Sequence, residues 1–372
     1  MESCDVLIVG GGPAGSSCAW ALRGSGLDVI VLDKSRFPRD KICGGWITPQ
    51  VVEELQIDLR DYARSRVLQP ITAFRVSAMG ARDVQVAYDR PISYGIRRCE
   101  FDDFLLRRSG GRIFDGVAIE KMERETGGWL INGELRARLL IGAGGHFCPV
   151  SRLLGNRNSE APVVAQEIEF EMSAPQAAAC AIQPQAPELY FCRDFHGYGW
   201  CFRKGNFLNI GLGRLDQHKL SEHVRQFAEF LRATGRIGFE LPQKFPGHAY
   251  LLHGYSHRKI LDEAVMLIGD AAGLAYAQSG EGIRPAVESG LMAAEVIAQA
   301  DGNYSAERLS SYTHALTARY GKGETVSAAK FLPAVLRNGL ARLLLSSQRF
   351  CRLTVVENWF LHMQESALQP TV

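Results

Sequence analysis

A glycine turn set between two apolar runs constrains this chain more than any other feature. Val6-Leu7-Ile8-Val9 leads into Gly10-Gly11-Gly12-Pro13-Ala14-Gly15, and an alanine-rich helical segment follows from Ser16 to Arg23. A second run, Val29-Ile30-Val31-Leu32, then ends at Asp33. Strand, glycine turn, helix, strand and terminal acid stand in the order a dinucleotide site needs. Gly10 permits the tight turn, Gly12 lets the backbone approach a pyrophosphate, and Gly15 lets helix and strand pack closely. Pro13 and Ala14 open the helix, whose free N–H groups and positive dipole end suit phosphates. Asp33 stands where a carboxylate accepts hydrogen bonds from both ribose hydroxyls. The stretch from Val6 to Leu22 carries no charge, but its glycines, its proline and the βαβ context favour a nucleotide site over a membrane span.

A length of 372 residues calls for two domains or one large elaborated domain. Hydrophobic residues at 46% and charged residues at 22% describe an ordinary soluble globular protein. A net charge of +2 lends no support to nucleic-acid binding. The nine cysteines are scattered without a CxxC pair. They predict reduced thiols in a cytoplasmic setting and neither a disulfide framework nor a zinc site. No His/Asp/Glu spacing suggests another metal, and the first strand begins too early for a signal peptide.

Beyond Asp33, residues 34 to 46 form a basic loop ending in glycines, with no helical or strand period. Thr48 and Pro49 predict a helix to about Leu55. Thr72–Val76 and Val84–Tyr88 alternate as antiparallel strands of a second sheet. A helix opens at Arg97–Asp102 with Phe101, Phe104 and Leu105 on one face. A strand over Ile113–Ile119, a hairpin through Gly127-Gly128 and a strand at Leu139–Ile141 follow. More strands are expected at Val164–Phe170, Leu189–Cys192 and Phe207–Leu212, then a helix from Ser221 to about Arg232. Ala264–Ile268 is a further apolar strand that runs into Gly269-Asp270-Ala271-Ala272-Gly273. A long helix covers Gly282 to Ala298, and Ser305 to Glu365 reads as helical throughout.

Three further motifs carry chemistry. Gly269–Gly273 with Gly280-Glu281-Gly282-Ile283 can place Asp270 on a ribityl hydroxyl and a helix start beside the pyrophosphate or the flavin ring edge. Arg98, with Phe101 and Asp102, suits a bidentate phosphate clamp. Lys41-Ile42-Cys43-Gly44-Gly45 lets backbone approach an isoalloxazine ring, with Cys43 on the substrate side. Read alone, each also has a structural explanation: a capped turn, a surface charge, a small buried thiol.

Together these residues resemble the para-hydroxybenzoate-hydroxylase-type FAD superfamily, and within it the geranylgeranyl reductase family. Phe37-Pro38-Arg39-Asp40 ahead of Lys41, and Gly197-Tyr198-Gly199-Trp200-Cys201-Phe202, which resembles an aromatic reductase signature, extend the likeness over roughly residues 1 to 300. The resemblance implies an α/β fold: a Rossmann-like FAD-binding domain, a second antiparallel-sheet substrate domain and C-terminal helices. Expected boundaries are 1–66, 96–160 and 262–300 for the discontinuous FAD domain, 67–95 and 161–261 for the sheet domain, and 301–372 for the helices.

By the same resemblance, Gly10, Gly12, Pro13, Ala14, Gly15, Asp33, Lys34 and Val117 serve the ADP half of FAD, with Arg98 reaching its phosphates or ribityl chain. Lys41, Cys43, Gly44, Gly45, Asp270, Gly280, Gly282 and Ile283 serve the ribityl and ring end. Cys43, Tyr198 and Trp200 shape the catalytic cavity. Two positions depart from the pattern. Gly142-Ala143-Gly144-Gly145 has Gly144 where relatives carry an acid linked to nicotinamide handling, so a separate electron donor stands beside NAD(P)H. Arg203 stands where the aromatic signature has proline, which bears on the cavity's shape or polarity.

The implied function is an FAD-dependent oxidoreductase that reduces C=C bonds of an isoprenoid or other apolar substrate by hydride transfer. Its alternative is a monooxygenase working through a flavin hydroperoxide on an apolar or aromatic substrate. A flavin halogenase ranks lower, because no lysine occurs between Lys41 and Lys121 to match its catalytic lysine. A flavoprotein without turnover also stands. His146 and His196 are candidate proton donors beside the motifs. Apolar helices with interleaved Arg337, Arg342, Arg349 and Arg352 raise peripheral contact with the inner membrane surface.

Overall fold

The computed structural model describes residues 1–156, 162–216, 219–255, 258–321 and 334–369. The apolar runs form a parallel sheet whose strands lie in the order Val265–Leu267, Leu135–Gly142, Glu2–Val9, Val29–Asp33, Arg112–Asp115. Two antiparallel strands, Met122–Glu125 and Gly128–Ile131, extend from Leu135–Gly142, and Leu261–Asp262 pairs with Val265–Leu267. Both faces of the parallel core are covered, so its central residues are apolar without alternation.

The glycine-turn helix, Pro13–Leu22, is buried along all but one of its residues. A helix apolar all round needs cover all round, and Ile283–Gln299 supplies it. A Cβ on Gly290 would lie 2.4 Å from the Ala14 carbonyl oxygen, so the two helices meet backbone to backbone. Beside that contact, a Cβ on Gly15 would lie 1.9 Å from the Gly10 carbonyl oxygen. That is the close packing expected of the third glycine.

The second sheet runs Gly247–Tyr250, Val163–Glu171, Phe207–Arg214, Gly197–Lys204, Glu188–Phe191, Ala73–Ala78, Val84–Ala87. One face packs on the amphipathic helix Leu220–Ala233 through Leu220, Val224, Phe227 and Leu231. Around Trp200 and Phe202 the other face meets Phe74, Val76 and the C-terminal Val355, Val356 and Phe360.

Several boundaries differ from the sequence expectation. The strand expected to reach Ile119 ends at Asp115, because Gly116 turns the chain at φ +83°. Thr48 caps its helix by backbone position only, without a side-chain bond. Trp46–Ile47, Leu68–Ile71 and Ser93–Ile96 form a small third sheet that no alternation announced. Helix does not continue to Glu365: a π-helical segment, Cys351–Phe360, ends it, and the chain then runs as a strap. Arg284 pins that strap by donating to the carbonyls of His362, Glu365 and Ser366. Phe331, Leu332 and Pro333 lie outside the described residues. No helix among the described residues is long and apolar enough to cross a membrane.

Candidate active site

A cleft opens where the parallel strands end and the second sheet faces them. Its volume, about 380 Å³, falls within the roughly 300–1,000 Å³ of an ordinary ligand pocket. One end is lined by Gly12, Pro13, Ala14, Asp33 and Lys34, and the other by Cys43, Gly44, Gly45, Tyr198 and Trp200. Arg98, Asp270, Gly280, Gly282 and Ile283 line it between them.

At the first end Gly10 has φ +119°, and a Cβ there would sit 2.4 Å from the Ala143 carbonyl oxygen. Only glycine fits, though Gly10 and Gly15 act from beneath and do not line the cleft. Asp33 Oδ2 accepts the Gly11 N–H and Oδ1 the Ser35 N–H, each at 2.8 Å. Each oxygen keeps acceptor capacity for a ribose. Val117 donates its N–H to the Asp33 carbonyl at 2.9 Å, but its side chain is exposed and stands outside the cleft.

Arg98 lines the cleft in a different way from the phosphate clamp expected. Its Nε and Nη2 bond Asp102 at 2.8 and 2.9 Å, and Arg39 adds a contact to the same carboxylate at 3.2 Å. The bidentate fork is therefore closed on a fully buried acid one turn along its own helix. Lys41 reaches both ring nitrogens of His248, the nearer at 2.8 Å, and His248 Nε2 stands 3.9 Å from Asp270. Removal from bulk water lowers Lys41 to about 8 despite Asp270 nearby. Burial also lowers His248. For Asp270 burial acts upward, but the His248 hydrogen bond and the Lys41 charge outweigh it and hold the carboxyl low.

The Cys43-Gly44-Gly45 loop is held by the second sheet. Cys43 donates its N–H to Glu167 Oε1, and its carbonyl accepts from Asn209 Nδ2 at 3.2 Å. Trp200 Nε1 donates to Asn209 Oδ1 at 2.8 Å. Gly45 adopts φ +70°, and a Cβ would lie 2.5 Å from both the Ile96 oxygen and Lys204 Nζ. Lys204 is 1% exposed, donating to Ile96 O at 2.9 Å and to Glu169 at 2.6 Å. Tyr198 donates its hydroxyl to the Ser279 carbonyl, which ties the aromatic strand to the Gly280 loop.

Sequence reasoning missed Glu167, Glu169, Lys204, Asn209, His248 and Tyr250. A signal existed for the first two: Glu167, Glu169 and Glu171 alternate with Ile168 and Phe170, which marks one face of the strand as charged. Two other expectations change. Arg203 points away from the cavity, bonding the carbonyls of Gly205 and Ala177, because it alternates with the inward Trp200, Phe202 and Lys204. His146 lines the cleft, but His196 lies at a distant turn beside Asp194 and Asp216. Arg214, pairing both of those carboxylates at 2.7–2.8 Å, already supplies the positive charge that cluster needs.

The residues present fit FAD: a glycine turn that admits no Cβ, an acid with spare acceptor capacity, and a cleft that continues to the Cys43 loop. A model of FAD-dependent oxidoreductases matches residues 5–99. The menaquinone reductase of Mycobacterium tuberculosis is 33% identical over 356 residues, 88% of this chain and 83% of that one. Digeranylgeranylglycerophospholipid reductase 1 of Methanothermobacter thermautotrophicus is 28% identical over 335 residues, 84% and 82% of the two chains. The crystal structure of a geranylgeranyl bacteriochlorophyll reductase-like protein from Thermoplasma acidophilum shares the fold with a TM-score of 0.73 at 21% identity, covering 100% of this chain and 94% of that one. The chain is an FAD-dependent oxidoreductase and belongs to the geranylgeranyl reductase family.

Proposed function

We propose that the enzyme saturates carbon–carbon double bonds in an isoprenoid chain or a quinone's prenyl tail. The observation that carries this reading is the wall opposite the Cys43 loop, where Tyr198, Trp200 and Tyr250 present aromatic surface to the cleft. Phe360 packs behind Tyr198 with ring centroids 5.2 Å apart. Such a wall holds an apolar chain and keeps water from the reacting carbons. The names of the relatives, reductases of prenylated quinones and lipids, support the same reading.

Gly12, Pro13, Ala14, Asp33, Lys34 and Asp270 would hold FAD, with Gly280, Gly282 and Ile283 at its ring side. When bound and reduced, FAD supplies the hydride. Cys43, Tyr198 and Trp200 orient the substrate. The electron donor is either NAD(P)H or a separate redox protein, and the lack of an acid at Gly144 favours the latter. Exposed Leu340, Leu343, Leu344 and Leu353, with Arg342, Arg349 and Arg352 among them, favour peripheral membrane contact where a lipid substrate would be met.

The test is anaerobic. FAD-loaded protein reduced with dithionite is offered a menaquinone or a digeranylgeranylglycerophospholipid; after air has returned any quinol to the quinone, mass spectrometry reads the gain of H2 that persists in the prenyl chain for each saturated bond. A hydroxylated product formed only on admitting oxygen would replace this reading with the monooxygenase one.

A further inference from the structure

The wall facing the Cys43 loop is built by alternate residues of adjoining strands. Register sets Glu167 opposite Gly211 and Gly211 opposite Trp200. It likewise sets Ala165 opposite Gly213, and Gly213 opposite Tyr198. The glycines leave a notch that the indole fills. A Cβ on Gly211 would lie 2.2 Å from Trp200 Cζ2 and 2.7 Å from Glu167 Cβ. Trp200 and Glu167 therefore flank one glycine, side by side on the cleft.

Glu167 is 4% exposed and lines the cleft. Its Oε1 accepts the Cys43 N–H, while its Oε2 is buried without a hydrogen-bond partner. An ionised carboxylate with an unanswered buried oxygen is costly. Burial pushes Glu167 up to about 7, although the Cys43 N–H and the Lys204 charge pull the other way. Two neighbouring groups are engaged otherwise: the Tyr198 hydroxyl donates to Ser279, and the His248 ring meets Lys41. Glu281 also lines the cleft, accepts a backbone N–H and is raised to about 7, but Glu167 is the one that sits beside Trp200 with a buried, unpartnered oxygen.

We propose that Glu167 is the proton donor of the reaction, giving its carboxyl proton to the substrate carbon that does not take the hydride. The assignment rests on the reductase reading above. The substrate takes a hydride from the reduced cofactor's N–H bond and a proton from the Glu167 O–H bond. Two C–H bonds replace the C=C π bond, the cofactor leaves oxidised by two electrons, and the carboxylate recovers its proton from water. Meanwhile Oε1 keeps the Cys43 loop in place through the whole cycle.

Glu167→Gln tests this, because the amide retains an oxygen for the Cys43 N–H but cannot release a proton usefully. FAD loading, read by absorbance, should stay at the wild-type level. Saturation of the menaquinone probe's prenyl chain, read after reoxidation of the quinol, should fall by about 10²–10⁴, the span for a lost general acid. Glu167→Asp should recover part of that loss. Independently of turnover, infrared difference spectra of the FAD-loaded protein should show a protonated carboxyl that titrates near pH 7 and vanishes in Glu167→Gln. A variant with the wild-type rate, or a carboxyl ionised throughout the acid range, overturns the assignment while leaving the reductase reading intact. Wild-type protein that reduces neither the menaquinone nor the prenylated lipid overturns the reductase reading and the assignment with it.

Discussion

Lys204→Met probes how far the second sheet controls the cofactor loop. The ammonium is fully buried and holds both the Glu169 carboxylate and the Ile96 carbonyl. Removing one partner of a buried ion pair costs about 3–5 kcal/mol when the other is left uncompensated. Glu169 would retain Arg97 at 3.3 Å and Asn209 at 3.3 Å, so the loss belongs at the lower end. The orphaned Ile96 carbonyl adds about 1 kcal/mol. Together these give about 4 kcal/mol, with the methionine stem filling most of the lysine's volume. Urea denaturation followed by tryptophan fluorescence measures it, and FAD titration measures the accompanying loosening at Gly45. Glu169→Gln in the Lys204→Met background should recover stability, since it removes the stranded charge. A loss below about 1 kcal/mol, or a double variant weaker than Lys204→Met alone, would show that the loop does not depend on this pair.

Gly45→Ala should abolish FAD retention on a gel-filtration column while leaving the far-UV circular dichroism unchanged, because a Cβ at φ +70° meets the Ile96 backbone. Cys43→Ala should keep FAD bound and impair turnover; unchanged kinetics would remove Cys43 from the cavity chemistry. Burial first, and then the Glu288 carboxylate, push Glu54 well above the usual carboxylate range. The folded state thus binds this proton more tightly than the unfolded chain, and stability is lost as pH rises from the ordinary carboxylate value toward the raised one. Glu54→Gln, which can still accept the Leu368 N–H, should flatten that slope in thermal melts. Leu343→Asp, at a side chain 68% exposed, should weaken sedimentation with anionic vesicles and leave the reduction of a detergent-dissolved menaquinone unchanged.

The first βαβ unit was legible because its determinants are local. Gly10, Gly15 and Asp33 lie within one unit: the two glycines stand where no Cβ fits, and Asp33 lines the cleft. Asp270 was legible for the same reason, standing at a strand end before glycines. Arg98 was placed correctly on the cleft, but its fork was misassigned, since Asp102 one turn later competes for it. What stayed hidden depends on strand register. Glu167 meets Cys43 across 124 residues, Asn209 meets it across 166, and Lys41 meets His248 across 207. No periodicity within a strand reports such a partner. Lys204 reads as an ordinary strand-end charge until Gly45 and Ile96 are placed against it.

The backbone contact between Gly290 and Ala14 bears on how the protein is made. At about 5–20 residues per second, roughly 275 residues separate the emergence of Gly15 from that of Gly290, an interval of roughly 14–55 s. Throughout it, the helix Pro13–Leu22 has no final partner for its outer surface. Asp270 and the Gly280–Ile283 turn arrive only at the end of the same interval. The residues that line the cofactor cleft are thus completed late in synthesis, and a nascent chain halted before Asp270 carries the nucleotide fingerprint with neither its cover nor its second half.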